Sequence, residues 1–179
     1  MSKRILVIGG LAAGPSAASK AKRVNPASEV VLFEQGEHVS YGICEIPYFL
    51  SGEVEREKLV AYTPQQLHER KGIDVRTLHR VEEILPTKRK IVVRDLRSGR
   101  VAEEPYDRLI IATGSRPNRL NVSGENARNV FTVKSLDGAY RLEKFLQAEK
   151  PKHAVVIGGG YIGMEMCDTL RAGELDVTL

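Results

Sequence analysis

The stretch RILVIGGLAAGPSAASKAKRV, residues 4–24, decides the fold. Its first part, Arg4–Ile8, is mostly apolar and β-branched and ends at a glycine pair, which is typical of a buried parallel strand. The small residues that follow, with lysines and an arginine after them, predict a helix over Gly14–Val24. A strand that passes through glycines directly into a helix indicates the opening of a nucleotide-binding α/β unit.

The same order of strand, glycine turn and helix returns in HAVVIGGGYIGMEMCDTLRAG, residues 153–173. This second turn fits G-x-G-x-x-G fully, whereas the first has a leucine in place of the middle glycine. Glycine turns also join strands to helices without binding anything, but two in this context favour two different dinucleotides, each with its pyrophosphate at a helix N-terminus. The candidate cofactor-binding residues of the turns are Gly9, Gly10, Leu11, Ala12, Ala13 and Gly14, with Gly158, Gly160 and Gly163.

Two further segments extend the first unit. EVVLFE, Glu29–Glu34, predicts a second strand, and its last residue lies about 20 residues beyond the glycine turn, where a carboxylate can bind a ribose. YDRLIIATG, Tyr106–Gly114, predicts another buried strand that ends in glycine. Strands that alternate with helices in this way predict the α/β class.

The middle of the chain predicts a helix and a meander. Thr63, Pro64 and Gln66 combine an N-cap, a proline at the first helical position and a capping-box glutamine, so a helix is expected that stops at Gly72. IDVRTL, VEEIL, KIVVRD and RVAEEP are short and separated by turns, which predicts a small antiparallel meander. Ser135–Lys150 predicts another helix, and DVTL predicts one more strand.

Composition sets limits on partners. The 179 residues are 42% hydrophobic and 28% charged, with a formal net charge of +4, as in an ordinary globular protein. No apolar run approaches the roughly 18 residues of a membrane span, and the apolar N-terminus leads into glycines rather than a cleavage site. Basic residues are scattered among acidic ones. We therefore expect a cytoplasmic protein with neither a membrane nor a nucleic acid as partner.

The two cysteines, Cys44 and Cys167, lie far apart and do not suggest a disulfide framework. Cys44 lies in HVSYGICEIPYFLSG, residues 38–52, where Ser40 is predicted to cap a short helix whose first turn holds the thiol. A helix N-terminus stabilises a thiolate. A lone cysteine is most often a buried, unreactive structural residue, and this is the interpretation of Cys167.

Taken together, VIGGLAAGPSAASKAKR, a strand ending FE, SYGICEIPY, AYTP, IIATGSRP and VVIGGGYIGMEM resemble the pyridine nucleotide-disulfide oxidoreductases. The resemblance covers essentially the whole chain. It is strongest to the single-cysteine branch of coenzyme A disulfide reductases, NADH oxidases and NADH peroxidases. It implies the first segment of an FAD-binding Rossmann-like domain with a β-meander over 1–150, and the start of a second, NAD(P)H-binding domain of this kind over 151–179.

By the same resemblance the chain is an N-terminal fragment that lacks the later FAD segment and the dimerisation domain. The full-length protein is expected to be a homodimer. The fragment alone is expected to bind FAD weakly or not at all and to be inactive.

The resemblance also implies roles for single residues. Cys44 matches the redox-active cysteine beside the flavin, and Phe49 occupies the place of the second thiol in the two-cysteine branch. Cys44 must therefore pair with a small thiol or become a sulfenic acid. Tyr161 matches an aromatic gate over the flavin, with Glu165 one turn on; the alternative is an ordinary helix start with an acidic residue in its first turn. The further matching cofactor-binding positions are Val81, Ala112, Thr113 and Gly114.

The same match of positions narrows the range of candidate substrates. The first glycine turn lacks the histidine that peroxidases and many oxidases of the family carry, which argues against peroxide. Ile43 and Glu45 depart from the asparagine and the small residue that are usual beside the cysteine. The electron acceptor could therefore also be another small disulfide, a persulfide or oxygen. The positions that match coenzyme A-binding residues are Ser16, Lys20, Arg23, Ser40 and Lys71, three of them cations suited to phosphate, although such cations are common on solvated helices.

The sequence thus predicts an FAD-dependent oxidoreductase that uses NAD(P)H to reduce a small-molecule disulfide like that of coenzyme A through Cys44. An NADH oxidase is the alternative enzyme, and a nucleotide-binding fragment without catalysis is the alternative from another class.

Overall fold

The structure is a computed structural model and describes residues 2–179. Its strands are β1 Arg4–Ile8, β2 Glu29–Phe33, β3 Asp74–Arg76, β4 His79–Leu85, β5 Lys90–Asp95, β6 Val101–Pro105, β7 Arg108–Ile111, β8 His153–Val155 and β9 Asp176–Thr178. Its helices are α1 Ala13–Val24, α2 Ile46–Leu50, α3 Pro64–Lys71, α4 Leu136–Glu149 and α5 Tyr161–Ala172, with single 3-10 turns at Ile43–Glu45 and Arg56–Lys58. Among residues 2–179, no helix combines the length and the apolar character that a membrane crossing requires.

The chain divides into two compact units. The first contains the described residues up to Tyr41 together with Val60–Ser115, and the second contains Gly42–Leu59 together with Arg116–Leu179. The predicted boundary between the FAD-binding segment, residues 1–150, and the NAD(P)H-binding domain, residues 151–179, refers to nucleotide binding and not to compact units. It stays a prediction.

A parallel sheet forms the first unit, with strand order β3-β2-β1-β7. Val7 and Leu32 pack on one face with Leu67 of α3. Leu6 and Phe33 pack on the other face, towards the meander. Because the strands are covered on both faces, they read as continuous apolar runs rather than alternating ones. This confirms the predicted α/β class.

The meander is formed by β4, β5 and β6, which pair antiparallel. The prediction that IDVRTL, residues 73–78, belongs to it is wrong, because this segment forms β3 and pairs parallel with β2. The physical reason is the connection: a chain that passes through a helix such as α3 returns parallel to the strand it left. Ile73 is fully buried in the core of the parallel sheet.

Helix α3 begins and ends as its sequence predicts. The hydroxyl of Thr63 accepts from the backbone N–H of Gln66 at 3.2 Å, and the Gln66 side chain accepts from the N–H of Thr63 at 2.9 Å. Gly72 ends the helix in the left-handed conformation, with φ of 66°. Both signals are local, which is why they can be predicted from sequence.

The second unit combines α2, α4 and α5 with the parallel pair of β8 and β9. Its core is built on Leu142 of α4 with Met166 and Leu170 of α5, and Leu50 of α2 packs against them. The predicted helix of residues 135–150 is confirmed as α4, and Ser135 caps it by accepting from the N–H of Gly138 at 3.2 Å.

Candidate functional site

The first glycine turn is shaped by close backbone contacts. Gly9 has φ of 106°, and a Cβ there would lie 2.1 Å from the carbonyl oxygen of Ala112. A Cβ on Gly14 would lie 1.8 Å from the carbonyl oxygen of Gly9. Neither position can accept a side chain, so the start of α1 lies directly on the end of β1. This is the geometry that a strand and helix need to present a phosphate site.

The N-terminus of α1 is open to an anion. No side chain caps it, and its first turn contains no acidic residue. The positive end of the helix dipole therefore meets no competing negative charge within the helix. Leu11, at the position of the missing middle glycine, is half-buried.

Glu34 is fixed at the end of β2 by two backbone amides. Its Oε2 accepts from the N–H of Gly10 at 2.7 Å, and its Oε1 accepts from the N–H of Gly36 at 2.8 Å. A carboxylate has about four acceptor sites, so both oxygens retain capacity for hydroxyl donors. The structure thus places Glu34 directly against the glycine turn.

The other predicted residues of the first unit lie near this edge of the sheet. Ala112 continues β7, and its N–H donates to the carbonyl of Ile8 at 2.8 Å. Thr113 and Gly114 follow and are exposed, and a Cβ on Gly114 would meet no other atom within 4 Å. Val81 lies on β4, two residues after His79, whose N–H donates to the carbonyl of Glu34 at 2.9 Å.

Ser40 does not cap a helix, and that prediction is wrong. It has φ of 51°, and its N–H donates to the carbonyl of Gly10 at 2.8 Å. Its own carbonyl accepts from the N–H of Ala61 at 2.8 Å. These two long-range hydrogen bonds hold Ser40 in the left-handed region and take the chain away from a capping geometry.

Cys44 is exposed and lies in the 3-10 turn of residues 43–45. Gly42 precedes the turn, and no side chain caps it. The carboxyl group of Glu45 folds back over Gly42, where a Cβ would lie 2.5 Å from its Cδ. Cys167 is half-buried on α5. The more exposed thiol is therefore the one predicted to react.

The second glycine turn repeats the geometry of the first. Gly158 has φ of 113°, and a Cβ on Gly163 would lie 1.9 Å from its carbonyl oxygen. A Cβ on Gly160 would meet no other atom within 4 Å, so the turn is open on that side. Tyr161, the first residue of α5, is 95% exposed, and Glu165 is also exposed.

The predicted phosphate-binding cations lie on the first unit. Lys20 and Arg23 are exposed on α1, on the same side as Ser16 because of the spacing of four and three residues. Lys71, also exposed, ends α3, and its Nζ lies 5.6 Å from the ring centroid of Tyr62.

Lys22 is different from these cations. Its Nζ donates to the carbonyls of Pro26 and Ser28, both at 2.9 Å. A Cβ on Gly72 would lie 2.9 Å from its Cε, so its stem joins α1 to the end of α3. Its ammonium group is thus engaged within the protein.

Comparison with known proteins gives one family and several relatives. The family model for pyridine nucleotide-disulphide oxidoreductase matches residues 3–179. The chain is 34% identical over 176 residues to the coenzyme A disulfide reductase of Staphylococcus epidermidis strain RP62A, covering 98% of this chain and 40% of the relative. It is 36% identical to the NAD(P)H coenzyme A polysulfide/persulfide reductase of Pyrococcus horikoshii, covering 100% of this chain and 39% of the relative.

Two solved structures are similar over the chain. Reduced Bacillus anthracis CoADR-RHD matches with a TM-score of 0.98 at 34% identity, covering all of this chain and 32% of that one. The water-forming NADH oxidase of Lactobacillus brevis, bound to NADH, matches with a TM-score of 0.93 at 30% identity, covering 99% of this chain and 39% of that one. The chain therefore spans about 40% of the length of the curated relatives that it matches.

Proposed function

The chain belongs to the pyridine nucleotide-disulphide oxidoreductase family, and on this basis we propose that it is part of an FAD-dependent enzyme that uses NAD(P)H to reduce a small-molecule disulfide through Cys44. The observation that carries the proposal is the repeated glycine turn. Both turns lead into helices whose N-termini have no side-chain cap. In each turn the last glycine, Gly14 or Gly163, is so close to a carbonyl oxygen that an added Cβ would lie less than 2 Å from it.

The residues of the first turn fit the dinucleotide part of FAD. Gly9–Gly14 would receive the pyrophosphate and Glu34 the ribose, with Val81 and Ala112–Gly114 as further contacts. The second turn would receive the nicotinamide nucleotide through Gly158, Gly160 and Gly163, with Tyr161 and Glu165 at the start of α5. When bound, FAD supplies the electron-transfer chemistry between a nicotinamide and a disulfide, which no side chain provides.

Cys44 performs the covalent step in this proposal. Its thiolate attacks one sulfur of the substrate disulfide, the S–S bond breaks, and the other sulfur leaves as a thiolate that takes up a proton. The product is a mixed disulfide on Cys44. Two electrons that originate from NAD(P)H then break this bond, which restores the Cys44 thiolate and releases the second sulfur as a thiolate that takes up a proton. The exposure of Cys44 supports the proposal because an incoming disulfide can reach the sulfur.

Coenzyme A disulfide is the proposed substrate. Two relatives have coenzyme A in their names. The exposed cations Lys20, Arg23 and Lys71 supply positive charge for its phosphates, with Ser16 and Ser40 as hydroxyl donors. The similarity to an NADH oxidase supports oxygen as the alternative acceptor. A cytoplasmic location and a homodimeric full-length protein remain part of the proposal.

The proposal is tested on the full-length protein with NADH and NADPH in turn. Oxidation of the nucleotide is followed by absorbance under nitrogen with coenzyme A disulfide, and in air without it while oxygen is measured. Turnover that requires the disulfide is expected. Turnover that requires only oxygen would establish the oxidase instead, and a protein without flavin absorbance would contradict both.

A further inference from the structure

The segment that carries Cys44 contains little regular secondary structure. We call residues 42–59 the cysteine segment; its only α-helix, α2, has five residues. Isolated helices below about 12 residues are marginal in water. Cys44 lies two residues before α2, so the direction of its thiol depends on how α2 and the loop after it are anchored.

One set of contacts joins the cysteine segment to α4. The ring of Phe49 meets the ring of Tyr140 edge-on, with centroids 5.6 Å apart. The guanidinium group of Arg56 lies over the Tyr140 ring, 4.0 Å from its centroid, and 5.9 Å from that of Phe49. Arg56 also forms an ion pair and hydrogen bond with Glu143, one turn along α4 from Tyr140.

A second set joins the segment to α5, the helix that begins at the second glycine turn. The hydroxyl of Thr169 donates within its own helix to the carbonyl of Glu165 at 2.9 Å, and it also lies 3.4 Å from the carbonyl oxygen of Pro47. Leu50 packs against the core formed by Leu142, Met166 and Leu170. Helix α2 thus contacts two larger helices of the second unit.

We propose that Arg56 is a positioning residue for Cys44. Its side chain closes the loop after α2 onto α4, because one guanidinium both covers the aromatic pair and binds Glu143. Without it, Phe49 and Leu50 still anchor α2 to α4 and α5, but the loop after α2 is no longer fixed to α4. The N–H of Gly42, directly before the 3-10 turn that holds Cys44, donates to the carbonyl of Leu59 at 3.0 Å, so a loop that is no longer fixed loosens that turn as well. The meaning of this role for catalysis depends on the proposed function, but the positioning itself does not.

Arg128 provides a matched control. It also pairs with a carboxylate of α4, with its NH1 2.9 Å from Oε1 of Glu149, but it lies outside the cysteine segment. Arg56→Gln and Arg128→Gln therefore each remove one positive charge that pairs with a carboxylate of α4. Arg56→Lys keeps the charge for Glu143 but loses the planar stacking on Tyr140.

The first measurement is amide hydrogen exchange of the full-length protein. In Arg56→Gln we expect peptides of residues 43–54 to exchange about three- to tenfold faster, with strands β1 to β3 unchanged. Arg56→Lys is expected to restore part of the protection, and Arg128→Gln to leave it at the wild-type level. Equal protection in Arg56→Gln and Arg128→Gln would overturn the proposal. If Arg56→Gln does not fold, Glu143→Gln and Arg56→Lys provide the same comparison.

The second measurement is steady-state kinetics of the full-length enzyme. Arg56→Gln is expected to lower kcat for the disulfide about tenfold and to leave KM for the nicotinamide nucleotide unchanged, with partial recovery in Arg56→Lys. An unchanged kcat in Arg56→Gln would overturn the claim that this positioning of Cys44 matters for catalysis. A wild-type protein without reductase activity would contradict the proposed function, while the exchange result would still decide whether Arg56 fixes the segment.

Discussion

Replacing Gly163 by alanine places a methyl group 1.9 Å from the carbonyl oxygen of Gly158. Ordinary van der Waals contact begins near 3.4 Å, so the start of α5 and the glycine turn at Gly158 must separate by about 1.5 Å. The opposing atom is backbone and cannot rotate away as a side chain does. Overpacking of this kind costs about 1–3 kcal/mol, and we expect a loss of free energy of unfolding at the upper end of that range.

The control is Gly160→Ala in the same turn. Gly160 has φ of −77°, and an added Cβ would meet no other atom within 4 Å. Alanine is a poorer N-cap than glycine, but it lowers the entropy of the unfolded chain. These effects offset each other to a net change within about 1 kcal/mol.

Urea unfolding of the two variants and the wild type, followed by far-UV circular dichroism, measures the difference. A Gly163→Ala protein as stable as Gly160→Ala would refute the reasoning, because it would mean that the close approach of helix and strand does not exist. In the full-length protein both variants are expected to bind the nicotinamide nucleotide more weakly. Only Gly163→Ala should do so together with a loss of stability.

Two further predictions concern charge. Replacing Lys20, Arg23 and Lys71 by glutamine is expected to raise KM for coenzyme A disulfide at least about tenfold, while KM for a small uncharged disulfide stays unchanged; equal effects on both would count against a phosphate site. The Arg94 hydrogen bond holds the pKa of Glu82 below its usual value, and the Ser98 hydroxyl and the Arg97 amide do the same for Asp95. Because these folded-state pKa values are depressed, their stabilisation is present above the unfolded pKa values of about 4 and is lost as the pH falls through the folded ones. Thermal melting should therefore show less acid destabilisation in a variant with Glu82→Gln and Asp95→Asn, and an identical pH profile would contradict this.

Local signals in the sequence predicted the elements well. The capping box at Thr63 and the left-handed Gly72 fix α3 through contacts three or four residues apart, and such contacts are visible in sequence. The glycine turns were predictable because the carbonyl oxygens of Gly9 and Gly158 leave no room for a Cβ five residues later. In each of these cases the residue and the atoms that determine its conformation are at most about five residues apart in sequence.

The features that were predicted wrongly or missed depend on distant residues. Ser40 has the chemistry of an N-cap, but hydrogen bonds to Gly10 and Ala61 determine its conformation. Arg56 looks like an ordinary surface arginine, because its partners on α4 lie more than 80 residues away. Segment 73–78 has the length of a meander strand, but the preceding helix returns it parallel to β2.

The most direct test of the central claim compares Cys44→Ser with Cys167→Ser in the full-length protein. Each variant is mixed with NAD(P)H and coenzyme A disulfide under nitrogen, and nucleotide oxidation and flavin absorbance are recorded together. We expect Cys44→Ser to retain bound flavin and lose disulfide-dependent oxidation, and Cys167→Ser to behave as the wild type. Disulfide-dependent oxidation at the wild-type rate in Cys44→Ser would contradict the claim that this thiol carries the reaction.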